Sequence, residues 1–178
     1  MKLNLGCGLD IKRGYVNLDS QKLENVNVVA NIDKKLPFKD NTFDEILAFN
    51  ILEHCKDVVA TMKEIYRISK DEAIIKIIVP HFTSSGSWGD LTHQRTFSYN
   101  SFNYFDKTNL RRYKRGKFFG YEYGSSFKII KKKIIFRKAY LFLSRIFNTF
   151  PNFYQDTALA YLFPARGVYV ELECLKRN

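Results

Sequence analysis

Cysteine is scarce in this chain of 178 residues: Cys7, Cys55 and Cys174 are odd in number and far apart. They form no C-x-x-C pair and no disulfide framework, which fits a reducing compartment. Long apolar runs are missing as well. No stretch reaches the ~18 uninterrupted apolar residues that a membrane span needs. The opening MKLNLGCG is too short in its apolar part, and too soon broken by glycine, to read as a signal peptide. The expectation is a cytoplasmic protein. Internal repeats and low-complexity linkers are absent, and what remains is one globular domain over residues 1–178, with 46% hydrophobic and 26% charged residues, too apolar for intrinsic disorder.

Acidic residues run short in one half only. Residues 1–80 hold 12 Lys/Arg and 12 Asp/Glu, whereas residues 81–178 hold 17 and 6, so the whole net charge of +11 belongs to the second half. A neutral half joined to a basic one suits an anionic partner. Lysines that serve only solubility give the same count.

The pattern of elements is that of an α/β chain. Residues 2–5 (KLNL) alternate and stop at Gly6-Cys7-Gly8, which reads as a strand running into a tight turn. Residues 15–19, 26–31, 43–49 and 73–79 read as four further strands, the last closed by Pro80. After Asp57, a good N-cap, Val58, Met62, Ile65 and Tyr66 fall on one helical face. A helix between apolar strands argues for a parallel sheet covered on both faces. Residues 127–136 and 167–175 read as two late strands, and the aromatic segment 139–163 between them as partly helical. Only six residues, 9–14, separate the first turn from the second strand, where a parallel crossover takes a dozen or more, so the first helix must shrink to about a turn.

A glycine turn at the carboxyl end of the first strand is where open parallel sheets bind nucleotides. Gly6 and Gly8 let backbone approach a ligand. Asp19, ending the second strand, can accept two hydrogen bonds from a ribose diol, and Asp33, after the third, one from an adenine amino group. A dinucleotide fits poorly. The third glycine of G-x-G-x-x-G is replaced by Ile11, and hardly any helix N-terminus is available for a pyrophosphate. A nucleoside ligand without phosphates fits better.

The stretches LNLGCG, GYVNLD, NIDKKLPFKDNTFDEILAFNILEH and MKEIYRISKDEAIIKIIVPH resemble the class I S-adenosylmethionine-dependent methyltransferases, and LPFKDNTFDEI…LEH…EIYRISK resembles their type 11 pattern. The resemblance implies a seven-stranded, mostly parallel Rossmann-like sheet with an antiparallel last strand in a three-layer αβα sandwich, and S-adenosylmethionine as cofactor. It assigns Gly6, Cys7 and Gly8 to the methionine part, Asp19 to the ribose, Ile32 and Asp33 to adenine, and Asn50 to the sulfonium and amino-acid end.

Methyl transfer is an in-line displacement, so the protein mainly aligns and desolvates the acceptor, while an acceptor hydroxyl also needs a base. The segment HFTSSGSWGDLTHQRTF leaves the carboxyl edge of the fifth strand, where an acceptor should sit. His93 is the candidate base, with Asp90 to orient it. Arg95 is the candidate for an acceptor anion and Trp88 for stacking on a ring, with His81 beside them. The same residues can also simply knit a loop to the sheet. His54 reads as structural or pocket-lining. No metal is expected, since no cysteine or carboxylate has ligand spacing with His81 and His93.

The W-x-D-x-x-H-x-R arrangement is similar to type 11 relatives of surface-glycan biosynthesis. The leading reading is therefore a methyltransferase for a small-molecule or glycan-type acceptor. An RNA methyltransferase and a non-catalytic binding module are the alternatives. The basic stretches 107–117 and 128–138 suit a phosphate backbone, a phosphorylated carrier or an anionic membrane surface. KIIKKKIIF equally suits an edge strand protected by lysines.

Overall fold

Apolar residues at every second position commit these segments to a sheet, and the register between strands decides what each face carries. The structure, a computed structural model, describes residues 1–108 and 127–176. Its strands are β1 (Lys2–Leu5), β2 (Val16–Asp19), β3 (Val28–Val29), β4 (Phe43–Phe49), β5 (Ser69–Pro80), β6 (Phe127–Phe136) and β7 (Ala165–Cys174). They form one sheet in the order β3-β2-β1-β4-β5-β7-β6. The first five are parallel, and β7 is antiparallel to both its neighbours, as expected. Strand order reverses between β1 and β4, so the loops after β1, β2 and β4 open on one crevice. The third strand is shorter than the 26–31 expected, since only Val28 and Val29 pair with β2.

Leu3, Ile46 and Ile75 are in register, as are Leu5, Ala48 and Ile77, and all six are fully buried. Val168, Val170 and Leu172 of β7 continue the same apolar face. Against it lies α1 (Val58–Ile68), which contributes Met62, Ile65 and Ile68. Its N-cap is Asp57, whose carboxylate accepts from the Val59 and Ala60 amides. Phe97, Phe102 and Phe105 complete this core.

The other face differs from the expected sandwich. Lys2 opposite Glu45, and Lys76 opposite Glu171, occupy it. Glu45 is ion-paired to Lys2 and Lys76 and accepts from Tyr15, while Tyr169 donates to Glu171. None of the three crossovers before β4 holds a helix. The expected short first helix is absent, and the physical substitute is a pair of buried asparagines. Asn4 Nδ2 donates to the Asp10 carbonyl and to Asn17 Oδ1, at 2.8 and 2.9 Å. Asn17 Oδ1 also accepts from the Lys12 amide at 2.9 Å, and its Nδ2 donates to the Lys12 and Tyr15 carbonyls. Side-chain amides thus satisfy a crossover backbone that a helix would have satisfied internally.

The chain's second half covers the far edge. After a 3-10 turn at Lys138–Leu143 come α3 (Ser144–Thr149), α4 (Pro151–Gln155) and α5 (Leu159–Leu162), preceded in the chain by the short α2 (Ser85–Gly89). Phe147, Tyr154 and Ala160 pack with Ile134, Phe136 and Ala165 into a second core. Leu141, Phe142 and Ile146 of segment 139–163 are exposed. Strand β6 is the sheet edge, as its lysines suggested. Asn148 blocks that edge, accepting from the Ile134 amide at 2.7 Å and donating to its carbonyl at 3.0 Å. Lys132 is withdrawn from any phosphate-tracking role. It donates to Asn103 Oδ1 and the Tyr99 carbonyl and sits 4.0 Å over the Tyr99 ring, and burial pushes its pKa down to about 8. Most of the basic stretch 107–117 lies outside the described residues. No described helix is long and apolar enough to cross a membrane.

The packing predicts a contrast. Met62→Ala, at a fully buried position, should lower unfolding stability by about 2–5 kcal/mol. Ile146→Ala, 58% exposed, should stay within about 0.5 kcal/mol. Urea denaturation of both variants checks this, and equal losses would contradict the assignment of the inner face.

Candidate functional site

The turn after β1 is shaped by two glycines with different duties. Both have left-handed backbone, φ +67° at Gly6 and +48° at Gly8. A Cβ on Gly6 would lie 2.5 Å from the Ile51 side chain, so this glycine is required by the protein's own packing. A Cβ on Gly8 would meet nothing within 4 Å; its open side is the floor of a cleft. The turn is locked by Asp19, whose Oδ2 accepts from the Gly8 amide at 2.8 Å while Oδ1 accepts from the Gln21 amide at 3.0 Å. Each carboxylate oxygen retains capacity for a ligand hydroxyl.

The cleft has a volume of about 510 Å³. Gly6, Gly8, Asp19, Ile32, Asp33 and Asn50 all line it, so six of the seven positions assigned to the cofactor come together from the ends of β1 to β4. Cys7 does not. Its side chain is 4% exposed and turned into the protein, and its amide donates to the Leu18 carbonyl. Asp33 has a second duty, because Oδ1 accepts from the Lys56 amide at 2.9 Å. Asn50 is held at φ +51°, an uncommon conformation that asparagine tolerates better than most residues and that often marks a functional turn. A cleft floored by an open glycine, walled by two carboxylates and lacking a helix at its glycine turn fits a nucleoside without phosphates.

The residues expected to hold the acceptor are mostly occupied elsewhere. His81 is fully buried, between Phe82 and Tyr154, with Nδ1 2.8 Å from Thr83 Oγ1. Burial alone drives its pKa down to about 4, so it is a neutral core residue. Arg95 donates to the carbonyls of Cys55 and Lys56, which ties the 90s loop to the end of β4's following turn and takes the guanidinium from an acceptor anion. Trp88 is exposed and anchored by its indole N–H to the Phe82 carbonyl at 2.8 Å. Asp90 does not orient His93 by a hydrogen bond: its Oδ2 is 3.8 Å from His93 Nε2, and its Oδ1 accepts from the amide and hydroxyl of Thr92. The His93 ring lies behind His54, edge to face with centroids 4.7 Å apart, and His54 and Thr92 are the members of this group on the cleft wall.

Beneath them, Glu53 is 1% exposed, and neither carboxylate oxygen has a hydrogen-bond partner among the described residues. Burial pushes its pKa up to about 7 and pushes that of His54 down. Sequence reasoning also missed Ser20, Gln21, Asn31 and Ile51, all cleft-lining neighbours of the residues it found. It missed Arg166 altogether. That arginine opens β7 and lines a second cavity of about 450 Å³ with Asn50, Ile78, Pro80, Ser84 and Ile135. The two cavities share Asn50.

Comparison with known proteins bears on the fold. Residues 4–77 match the family described as a methyltransferase domain. An uncharacterized protein of Methanocaldococcus jannaschii is 29% identical, over 98% of this chain and 77% of that protein. A SAM-dependent methyltransferase from Archaeoglobus fulgidus superposes over 97% of this chain and 85% of its own, with a TM-score of 0.63 and 16% identity. The YcgJ protein from Bacillus subtilis does so over 99% and 92%, with a TM-score of 0.61 and 13% identity. At these identities the two structures speak for the fold.

The cleft floor supplies a test. Gly8→Val should abolish S-adenosylmethionine binding in calorimetry with the circular dichroism spectrum retained. Gly14→Val is the control for positive φ, since Gly14 has φ +80°, open surroundings and no part in the cleft. Equal affinity in the Gly8 variant and wild type would contradict the floor assignment.

Proposed function

We propose that the chain is a class I S-adenosylmethionine-dependent methyltransferase and that it methylates a small-molecule or glycan-type acceptor carrying an anionic group. The observation that supports this is the second cavity, which meets the cofactor cleft at Asn50. Its volume of about 450 Å³ suits a small molecule or a single sugar unit. Its walls are largely apolar, with Ile78, Val79, Pro80 and Ile135, and its charged group is Arg166. A guanidinium on an apolar wall recognises carboxylate or phosphate by paired hydrogen bonds. Arg137 lies close by, donating to Ser85 Oγ at 2.7 Å.

The bound cofactor would supply an electrophilic methyl group on a sulfonium. The chain's part is to bind, orient and exclude water. Gly6 and Gly8 admit the methionine part against backbone. Asp19 and Gln21 take the ribose side, and Asn31, Ile32 and Asp33 the adenine side. Asn50 stands where donor and acceptor meet. Arg166 fixes the acceptor's far end, so that the nucleophilic atom is presented at Asn50. His93 is not used here as a free proton acceptor, because its ring is behind His54.

Arg166→Ala should raise KM for the anionic acceptor at least tenfold, with the S-adenosylmethionine Kd unchanged. The acceptor class is read by supplying methyl-labelled S-adenosylmethionine to a small-molecule extract and to total RNA. Label in anionic small molecules or sugars supports the proposal. Label in RNA alone, or an Arg166→Ala enzyme indistinguishable from wild type, contradicts it.

A further inference from the structure

Glu53, His54 and His93 each offer one ligand atom, and the three atoms lie within 4.8 Å of one another. In the sequence the first two are adjacent and the third is 39 positions away, a spacing with no metal-binding signature. The fold closes that gap. The 3-10 turn Leu52–His54 follows β4, and the loop beyond α2 returns to it, fastened by the Gln94 amide on the Glu53 carbonyl at 2.8 Å and by Arg95 on the carbonyls of Cys55 and Lys56.

The hydrogen bonds around the two imidazoles fix which nitrogen is free. Thr92 Oγ1 donates its proton to Asp90 Oδ1 at 2.7 Å, so at 2.8 Å from His54 Nδ1 it must accept from that nitrogen. His93 Nδ1 lies 3.2 Å from the Ser87 carbonyl, which can only accept. Both rings therefore carry their proton on Nδ1, and a neutral ring then has its lone pair on Nε2. A second group holding the other ring nitrogen in this way is the usual accompaniment of a metal-ligating histidine. On His93, Nε2 lies 3.8 Å from Asp90 Oδ2, beyond hydrogen-bond distance. Beside them sits the Glu53 carboxylate, 1% exposed and without a partner for either oxygen. A buried carboxylate left so is costly, and it is satisfied only by a proton donor or a cation. A single proton would serve one Glu53 oxygen and leave the other without a partner. A cation bound between them serves the Glu53 carboxylate and the ring nitrogens of His54 and His93 at once.

We propose that Glu53, His54 and His93 form a binding site for a divalent transition-metal ion on the wall of the cofactor cleft. Two imidazoles and one carboxylate are donors that zinc accepts well, and three protein donors leave positions open for water or another ligand. His54 and Thr92 place the group at the cleft itself, beside Ile51 and Asn50. On the methyltransferase reading, an acceptor oxygen could take an open position and lose its proton more readily there.

The test uses the full chain, purified without a histidine tag, stripped with chelator and titrated with Zn²⁺ in competition with a chromophoric chelator. One Zn²⁺ per chain is expected. Glu53→Gln and His93→Ala should each weaken binding by roughly tenfold or more, with the circular dichroism spectrum unchanged. Co²⁺ in the wild-type protein should show d–d absorption bands that His93→Ala alters, a readout that a merely structural role would not move. No stoichiometric uptake by the wild type, or variants that titrate as the wild type does, would overturn the proposal. Ion uptake is read without methyl transfer, so it stands or falls separately from the acceptor reading.

Discussion

The hydrogen bond from the Gly8 amide to Asp19 Oδ2 is the contact on which the binding site depends. In a sheet of this kind the loop after the first strand is normally set by the helix that follows it. Here that helix is missing, and the ten residues between β1 and β2 have only turns. Asp19 holds the near end of the loop, and Asn4 and Asn17 hold the remainder from beneath. These side chains are in place because β1 and β2 are parallel neighbours, with Asn4 opposite Asn17. One pairing register therefore fixes both the sheet and the shape of the cleft. The arrangement leaves the turn without a helix N-terminus, the natural seat of a pyrophosphate. It favours a ligand that presents a sugar and a base to carboxylates.

The second half of the chain works by the same economy. Its edge strand is finished by Asn148, its half-buried Lys132 is spent on Asn103 and Tyr99, and its histidine at position 81 is part of an aromatic core. What remains for chemistry gathers around β4's end. Asn50 joins the two cavities, and His54 stands on the cleft wall with Glu53 and His93 behind it.

Much of this was legible beforehand. Strand β4 and strand β6 fall where alternation put them, and α1 starts at the aspartate that reads as its cap. The glycine turn, Asp19, Asp33 and Asn50 converge because local spacing after parallel strands already determines their place. Failures came where long-range pairing decides. Arg95 and His81 have the residue types of an acceptor site, yet backbone carbonyls take one and burial takes the other. Arg166 gave no signal, since it reaches its cavity only because β7 is inserted beside β5. Cys7 sits between two lining glycines, but alternation along the chain turns it inward. The substitution of asparagines for a helix was equally hidden: the short crossover was visible, its solution was not.

The central claim is that the cleft recognises a nucleoside carrying no phosphate. Calorimetric titration of the wild-type chain with S-adenosylmethionine and, separately, with ADP-ribose tests it most directly. One-to-one binding of S-adenosylmethionine and no measurable heat from ADP-ribose is the predicted result. Tighter binding of ADP-ribose would contradict the account.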